Sequence, residues 1–480
     1  MNYILIQRIL GIMLMLFGIA LIIPIITSLI FNDGNINIFI ISFILFFISG
    51  SILYFPNMNS KNDIKAKDGF LLVVLFWVVL SVYGSVPFML DQQLSLSFAD
   101  AFFESISGWT TTGATVIQDI DGLSLSILIY RQELQWLGGM GIVILALAVL
   151  PMLGVGGMQL YNAETTGPIK DKKISPRIAE TAKNLWSVYL GLTVLCALSY
   201  FIAGMSAFDA ISHSFSTIAI GGFSTHNDSI GYFQSSSIEF ICIIFMFLSA
   251  LNFTLHFIFL KSKDIKSYFM DAEARLYLFI IFIFISIMFL YLITSNTSET
   301  EFRHIIFQGV SFITTSGFTS TSYAGWPSFL LITLLTMSFV GACTGSTGGG
   351  MKVMRIMLLF KLMKKELMKI LHPTAEIPII VNENPLSENI SHSVWNFFIL
   401  YIISYLVISF LLLASGLDMT SAFSAVAACI NNLGPALGAV SDNYSAINDF
   451  SKYMLSFAML LGRLEIFTLL IVMTPYFWKY

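Results

Sequence analysis

The tetrapeptide Thr111-Thr112-Gly113-Ala114 decides the fold, because three related tetrapeptides follow it along the chain. They are Ile220-Gly221-Gly222-Phe223, Thr315-Ser316-Gly317-Phe318 and Asn432-Leu433-Gly434-Pro435. Each ends or follows a short, semi-apolar segment rich in Ser, Thr and Ala, and these segments lie near residues 98–112, 208–221, 303–316 and 420–433. They are too short to cross a bilayer, whose apolar core needs about 20 helical residues. We therefore expect four re-entrant segments, each a short helix followed by an extended glycine loop.

The composition places the chain in a bilayer. Hydrophobic residues make up 56% of the 480 residues and charged residues only 11%, and the mean hydropathy is +0.83. A soluble domain of this size needs more charge to cover its surface. The net charge is −4, and the basic residues form short clusters between apolar runs, which excludes a continuous face for nucleic acid.

Ten segments have the length and hydropathy of membrane-spanning helices. They lie near residues 3–31, 36–56, 69–90, 127–153, 183–204, 238–260, 276–294, 327–360, 393–415 and 452–477. In the first segment, the apolar run that follows Arg8 and reaches Phe31 is too long for a signal sequence. We therefore interpret this segment as a retained helix. Three clusters of Lys and Arg, at 61–67, 170–183 and 261–275, and a fourth at 361–369 mark cytoplasmic loops. Both termini are then cytoplasmic and the short segments enter from outside.

Aligning the four glycines reveals an internal repeat. Six positions before each glycine stands a small residue, and these are Ser107, Ser216, Ser311 and Ala428. The predicted fold is an all-α membrane protein with four helix, pore-loop and helix units around a central pore, preceded by two further helices. The divisions are the two N-terminal helices (1–66), the first unit (67–160), the second (161–262), the third with a glycine run (263–370) and the fourth (371–480).

Four loops around one axis predict a cation site. Non-helical backbone at membrane depth is tolerated where it is buried in protein or lines a water-filled path. Inward carbonyl oxygens replace the hydration shell of a cation, and glycine permits the positive φ that this geometry requires. No acidic residue stands in the loops, which favours a monovalent ion, and we expect potassium. The candidate filter residues are Thr111, Thr112, Gly113, Ile220, Gly221, Gly222, Thr315, Ser316, Gly317, Asn432, Leu433 and Gly434.

Two further features depart from regular membrane-spanning helices. They are the run of small residues Gly345, Ser346, Thr347, Gly348, Gly349 and Gly350, and the charged residue Arg463. Three successive glycines destabilise a helix, so we expect a loop that interrupts the span at 327–360. A charge such as Arg463, halfway through a predicted span, is expensive and usually faces a wet cavity. The alternatives are a seam of small residues between packed helices and an arginine paired with another helix.

At these stretches the chain resembles the Trk/Ktr/HKT superfamily of cation transporters, in particular its TrkH-type subunits of bacterial potassium uptake. The matching stretches are GWTTTGAT at 108–115, STIAIGGFSTH at 216–226, FITTSGFTST at 312–321, GACTGSTGGGMK at 341–352 and NNLGPALG at 431–438. The resemblance implies gated potassium uptake in the bacterial cytoplasmic membrane. It implies that the candidate gate consists of Gly345 to Gly350, as an intramembrane loop below the filter, and of Arg463 in the pore beside that loop. It also implies a homodimer, a cytosolic nucleotide-binding ring of the TrkA type as partner, and no covalently bound cofactor.

Two alternatives remain at this point. The first is a sodium-selective, or sodium- or proton-coupled, transporter of the same superfamily. The second is a membrane scaffold or enzyme, against which stand the single, unclustered cysteines and the absence of ligand spacing around His213, His226 and His304. A cytosolic regulator would dock on the inner surfaces at 154–182, 261–275 and 361–392.

Overall fold

Helices make up most of the described part of the chain, which in this computed structural model comprises residues 1–58, 65–141, 178–295, 302–375, 377–382, 384–385 and 388–479. The helices of the first half are α1 (Tyr3–Ala20), α2 (Ile22–Phe31), α3 (Ile36–Tyr54), α4 (Ala66–Gly84), α5 (Val86–Leu90), α6 (Phe98–Trp109), α7 (Leu125–Gly139), α8 (Ile178–Ile202), α9 (Ala207–Ala219) and α10 (Ser236–Ala250). Those of the second half are α11 (Phe253–Ser262), α12 (Lys266–Met270), α13 (Ala272–Ser295), α14 (Phe302–Thr314), α15 (Ser328–Val340), α16 (Val353–Leu371), α17 (Glu388–Ala414), α18 (Met419–Ile430), α19 (Asp449–Arg463), α20 (Phe467–Met473) and α21 (Pro475–Lys479).

The remaining regular structure is minor. Single 3-10 turns lie at Phe55–Asn57, Ser229–Phe233 and Gly438–Val440. A two-residue antiparallel ladder pairs β1 (Ile380–Val381) with β2 (Asn384–Pro385). Apart from this ladder, all regular secondary structure of the described residues is helical. The predicted all-α membrane fold is confirmed.

Six of the ten expected spans are long, apolar helical segments with the bounds that the sequence indicates. They are Tyr3–Phe31, Ile36–Asn57, Lys67–Leu90, Lys183–Ile202, Ala272–Ser295 and Ser393–Ala414. The expected span at 127–153 begins as α7, and its part beyond residue 141 lies outside the described residues. The span at 327–360 is divided into α15 and α16 by a loop at 341–352, as the glycine run predicts.

The span expected at 238–260 is not one straight helix, because α10 and α11 meet at an angle of 95°. Leu251 and Asn252 adopt extended backbone, and the Asn252 side chain caps the new helix by accepting the N–H of Thr254. The backbone groups released by this break bond to the loop at 341–352: Ala250 accepts from the N–H of Cys343, and the N–H of Phe253 donates to Gly345. Tertiary contacts thus satisfy the broken helix, as a membrane interior demands.

The span expected at 452–477 is also not one straight helix, since α19 and α20 meet at 118° directly after Arg463. Glu465 and Ile466 have φ values of 53° and 62°, which are unusual for residues other than glycine. Arg463 is therefore the last residue of a helix at a sharp break, and not a residue in the middle of a continuous span.

The four pore helices α6, α9, α14 and α18 are short, as expected, and are largely buried. Three have side-chain caps at their N-termini: Ser97, Ser206 and Asp418 accept the N–H of Asp100, Asp209 and Ser421, respectively. Such caps satisfy orphan donors of the first helical turn. The pore helices thus begin and end at corresponding positions of the repeat, which brings their glycine loops to one level.

Candidate ion filter and gate

The four candidate filter loops share one backbone conformation. In each loop the glycine has positive φ, with values of 81° at Gly113, 79° at Gly222, 79° at Gly317 and 90° at Gly434. The residue two positions earlier also has positive φ, with values of 54° at Thr111, 55° at Ile220, 65° at Thr315 and 54° at Asn432. Alternation of this kind lets successive carbonyls of an extended segment point to the same side, which an ordinary strand does not allow.

The same hydrogen bond fixes the start of each loop. The N–H of the residue before the glycine donates to the carbonyl five residues earlier, where the small residue of the sequence repeat stands. The pairs are Thr112 to Ser107 at 2.9 Å, Gly221 to Ser216 at 2.8 Å, Ser316 to Ser311 at 2.8 Å and Leu433 to Ala428 at 2.8 Å. The same backbone hydrogen bond therefore fixes how each loop leaves its pore helix.

The four filter glycines form a closed ring. A Cβ atom added to Gly113 would lie 2.2 Å from the carbonyl oxygen of Gly221, and one on Gly222 would lie 2.0 Å from that of Ser316. One on Gly317 would lie 2.1 Å from Leu433 O, and one on Gly434 would lie 2.5 Å from Thr112 O. Each repeat thus packs its glycine against the carbonyl of the next, and the fourth closes on the first. No side chain fits at these positions without displacing backbone.

A large cavity opens on one side of this ring. It has a volume of about 880 Å³ and is lined by residues that include all four filter glycines. We call it the vestibule. The loops that connect the filter to the following helices supply its walls, so the ring is accessible from this side to a hydrated ion.

The loop at 341–352, here named the glycine loop, covers the other side of the filter. The Thr347 hydroxyl donates to the carbonyl of Ile218 at 2.9 Å, and the N–H of Gly349 donates to the Thr315 hydroxyl at 2.7 Å. The N–H of Gly350 donates to the carbonyl of Asn431 at 3.1 Å. One loop therefore contacts the pore-helix ends or filter loops of the second, third and fourth repeats.

Arg463 supplies the contact to the first repeat. Its guanidinium donates to the carbonyl of Thr347 at 3.1 Å, to the carbonyl of Gly138 at 2.6 Å and to the Thr111 hydroxyl at 3.4 Å. It also lies 5.3 Å from the ring centre of Trp77. The structure thus brings the predicted gate residues together, with Arg463 joining the glycine loop to α7 and the first filter loop.

A small cavity lies between the glycine loop and α19. It measures about 50 Å³, and its lining includes Gly348, Asn432, Arg463 and Glu465. Glu465 does not pair with Arg463 but with Arg355 of α16, whose guanidinium also lies 4.0 Å from the Phe397 ring centre. The charges on this side of the filter are therefore held by specific partners.

The ends of the glycine loop are anchored by Glu273, a residue that sequence reasoning missed. Its carboxylate accepts the N–H of Thr344 at 2.7 Å and the N–H of Met354 at 3.0 Å, so it binds both sides of the loop. The side chain is buried. The available signal was an acidic residue at the start of an otherwise apolar span, which is a functional candidate by default.

A buried polar seam behind the filter was also missed. It consists of Arg131, Gln132 and Gln135, all fully buried on α7. Arg131 pairs with the buried Glu104 at 2.8 Å and donates to the carbonyl of Ser224 at 3.2 Å. Several polar residues in succession within an apolar span are the signal that could have revealed this seam.

An outer cluster ties the second pore helix to the first repeat. His226 contacts Asp121 at 2.7 Å and Asp209 at 3.5 Å and stacks on Tyr232 at 3.5 Å. Burial opposes its protonation, but hydrogen bonds to Asp209 and Asp121 and their charges outweigh burial and hold the pKa above 6.5. The His226 imidazole, whose protonated form the two carboxylates stabilise, therefore joins two repeats at the vestibule rim.

Within the described ranges, no group of three or more His, Cys, Asp or Glu side chains has metal-binding geometry. The four glycine loops present backbone carbonyl oxygens to one another instead. Carbonyl dipoles bind a partly dehydrated monovalent cation without placing a full charge in the bilayer.

Comparisons with known proteins agree with this geometry. The family model for TrkH, a cation transport protein, matches residues 35–480. The Trk system potassium uptake protein TrkH of Vibrio parahaemolyticus is 50% identical over 98% of both chains, and that of Escherichia coli K12 is 49% identical over the full length of both. The crystal structure of the potassium transporter TrkH from Vibrio parahaemolyticus matches all of both chains with a TM-score of 0.91 and 47% identity. The family expected from the glycine loops is confirmed, and the chain belongs to the TrkH family of cation transport proteins.

Proposed function

We propose that this chain takes up potassium across the cytoplasmic membrane through one gated pore at the centre of its four repeats. The observation that carries the proposal is the closed ring in which each filter glycine packs against a carbonyl of the next repeat. Relatives that share half of the sequence over its full length are named as potassium uptake proteins. Potassium is accordingly the transported ion and not a resident cofactor.

The proposed filter consists of twelve residues, three from each loop. They are residues 111–113, 220–222, 315–317 and 432–434. Their carbonyls replace water around the ion, and the C-terminal end of each pore helix adds a favourable partial negative charge. One glycine is common to all four loops, whereas tetrameric potassium channels have two in a Thr-Val-Gly-Tyr-Gly loop. We therefore expect fewer tight ion sites and a looser preference for potassium over sodium than in those channels.

The proposed gate is the glycine loop together with Arg463. The loop lies directly against the second, third and fourth repeats and Arg463 reaches the first, so an ion leaving the filter meets both. A fixed charge about 5 Å from an ion costs about 3 kcal/mol at an effective dielectric constant of about 20. Opening therefore requires the loop to withdraw and Arg463 to lose its bonds to Thr347 and Gly138.

The domain boundaries and assembly belong to the same proposal. The two N-terminal helices (1–66) pack outside four units at 67–160, 161–262, 263–370 and 371–480. The protein works as a homodimer with both termini in the cytoplasm, regulated by a cytosolic nucleotide-binding ring of the TrkA type. Of its inner surfaces, 261–275 exposes Lys261, Lys263 and Lys266, while Lys170, Lys172 and Lys173 lie outside the described residues.

Ion flux into liposomes that contain the purified protein tests the proposal. We expect uptake of a potassium or rubidium tracer that exceeds sodium uptake, and an increase when the cytosolic partner and its nucleotide are added. A preference for sodium would instead support a sodium-selective member of the family. No flux of either ion, with or without the partner, would contradict the pore.

A further inference from the structure

We propose that Gln135 is a specificity-determining residue that holds the filter loop of the second repeat from behind. Its amide group donates to the carbonyl of Gly221 at 2.6 Å and accepts the N–H of Phe223 at 3.1 Å. Because the N–H of Phe223 requires an acceptor, the amide oxygen faces Phe223 and the NH₂ group faces Gly221. One side chain of the first repeat thus binds both sides of Gly222. This inference rests on the filter proposed above.

Gln135 also fills the space of a side chain that the second repeat lacks. The position before the filter glycine is Thr112, Ser316 or Leu433 in the other repeats, but Gly221 in the second. A Cβ atom on Gly221 would lie 2.4 Å from the amide carbon of Gln135. The φ of Gly221 is not among the positive values, so its backbone would accept a side chain. Gly221 is therefore required by the amide of Gln135 and not by its own backbone conformation.

The second repeat needs this support because it has two successive glycines. Glycine has more conformational freedom than other residues, and two in a row lower the cost of turning a carbonyl away from its position. Across the described residues, no side chain donates to the corresponding carbonyls of Thr112, Ser316 and Leu433. Gln135 compensates for the missing side chain by fixing Gly221 and Phe223 together.

The polar seam continues the same support along the loop. Arg131, one helical turn before Gln135, lies 4.2 Å from the Phe223 ring centre and donates to Ser224 O. Gln132, in the amide orientation that satisfies both of its groups, accepts the N–H of Thr225 at 3.2 Å. Of the side chains of Arg131, Gln132 and Gln135, only Gln135 binds a filter carbonyl, that of Gly221. Selectivity is therefore expected to depend on Gln135 more than on the rest of the seam.

The test compares ion ratios in variants that fold. Gln135→Met keeps the length of the side chain and removes both hydrogen bonds, and it should lower the potassium-to-sodium flux ratio about fivefold, the effect of roughly one hydrogen bond. Gln308→Met is the matched control, since Gln308 is an equally buried glutamine whose amide bonds to Thr321 O and to no carbonyl of the three-residue filter segments. It should leave the ratio unchanged, even if it lowers total flux.

A second pair of variants tests the exchange of volume. Gly221→Ser alone should lower the ratio because its Cβ displaces the amide of Gln135. Combining it with Gln135→Ala frees that space and gives the second repeat the residue that the third has at Ser316, so the double variant should recover part of the ratio. Such a recovery would show that the effects of the two substitutions are not additive, and thus that the two positions interact. Two substitutions that damage the structure independently would instead have additive effects.

The outcomes separate this inference from the filter proposal. If Gly317→Ser changes the ratio while folded Gln135→Met does not, the filter stands and the role of Gln135 is overturned. If neither Gly317→Ser nor Gln135→Met changes the potassium-to-sodium ratio, the filter proposal is overturned, and the inference about Gln135 with it. Loss of the folded protein in both Gln135→Met and the double variant, judged by its elution profile and melting temperature, would show a structural residue and also overturn the inference.

Discussion

The filter and the region directly beneath it are built on opposite plans. The filter is nearly fourfold symmetric: all four repeats share the same two positive φ values and the same backbone hydrogen bond. The region beneath has no such symmetry, because one loop from the third repeat and one arginine from the fourth cover all four units. To surround an ion with carbonyl oxygens, several loops must adopt the same conformation around one axis. To block the path of an ion, a single segment is sufficient. Selectivity and gating are therefore expected to be separable.

The largest effect is expected from deleting Ser346 to Gly348. This removes Thr347, which bonds to Ile218, and shortens the loop that covers the filter. Potassium flux without the partner should rise by about tenfold or more, equivalent to a barrier lower by about 1.4 kcal/mol. The measurement is tracer uptake into liposomes. The potassium-to-sodium ratio serves as the internal control and should stay unchanged because the filter is intact.

Arg463→Ala should raise the same basal flux less, by about threefold to tenfold, since it removes the charge and leaves the loop in place. The basal flux of Arg463→Lys should lie between that of the parent and that of Arg463→Ala. A lysine keeps the charge but lacks the two NH₂ groups of the guanidinium that donate to Thr347 and Gly138. The exposed Arg275 provides a control for removing a positive charge, as Arg275→Ala. Equal or lower flux in folded Arg463→Ala would favour the structural alternative, with the glycines as a packing seam.

Gly317→Ser tests the symmetric side of the comparison. Its Cβ would lie 2.1 Å from Leu433 O and φ is 79°, so the substitution must displace a filter carbonyl. We expect the potassium-to-sodium ratio to fall severalfold, measured as a reversal potential in mixed ions. Gly325→Ser is the control, since no atom lies within 4 Å of a Cβ at that position. An unchanged reversal potential in folded Gly317→Ser would argue against a filter of backbone carbonyls.

The smallest effect is expected at His226, outside both regions. Because its pKa is raised above 6.5 in the folded protein, its contribution to stability is complete below that pH and is lost as the pH rises through the folded pKa. His226→Gln should lower the melting temperature by less than about 3 °C at pH 6, and the difference should shrink towards pH 9. The exposed His372, changed to Gln, serves as the control for the loss of a histidine side chain. A difference that grows with pH would contradict the ion pairs with Asp121 and Asp209.

Much of the site followed from local sequence. The glycines are recognisable because a positive φ and a close carbonyl exclude other residues, and the small residues six positions earlier mark the shared hydrogen bond. The glycine loop was predicted because three successive glycines cannot sustain a helix. The six regular spans were predicted with accurate bounds, since a helix in lipid satisfies its own backbone and only length and hydropathy decide it.

The remainder depended on contacts between distant segments. The breaks at Leu251 and Glu465 were missed because their freed backbone groups and charges bond to the glycine loop and to Arg355, which lie about a hundred residues away in the chain. The pairing of Gln135 with Gly221 is also invisible locally, since either residue alone reads as an ordinary polar or small residue. The sequence by itself determined the repeat, the spans and the ring of glycines, because backbone conformation is a local property. Only the tertiary structure decided which segment lies against the four glycine loops and which side chain bonds to the loop of the second repeat, because a buried polar group pairs with whatever partner the fold brings to it.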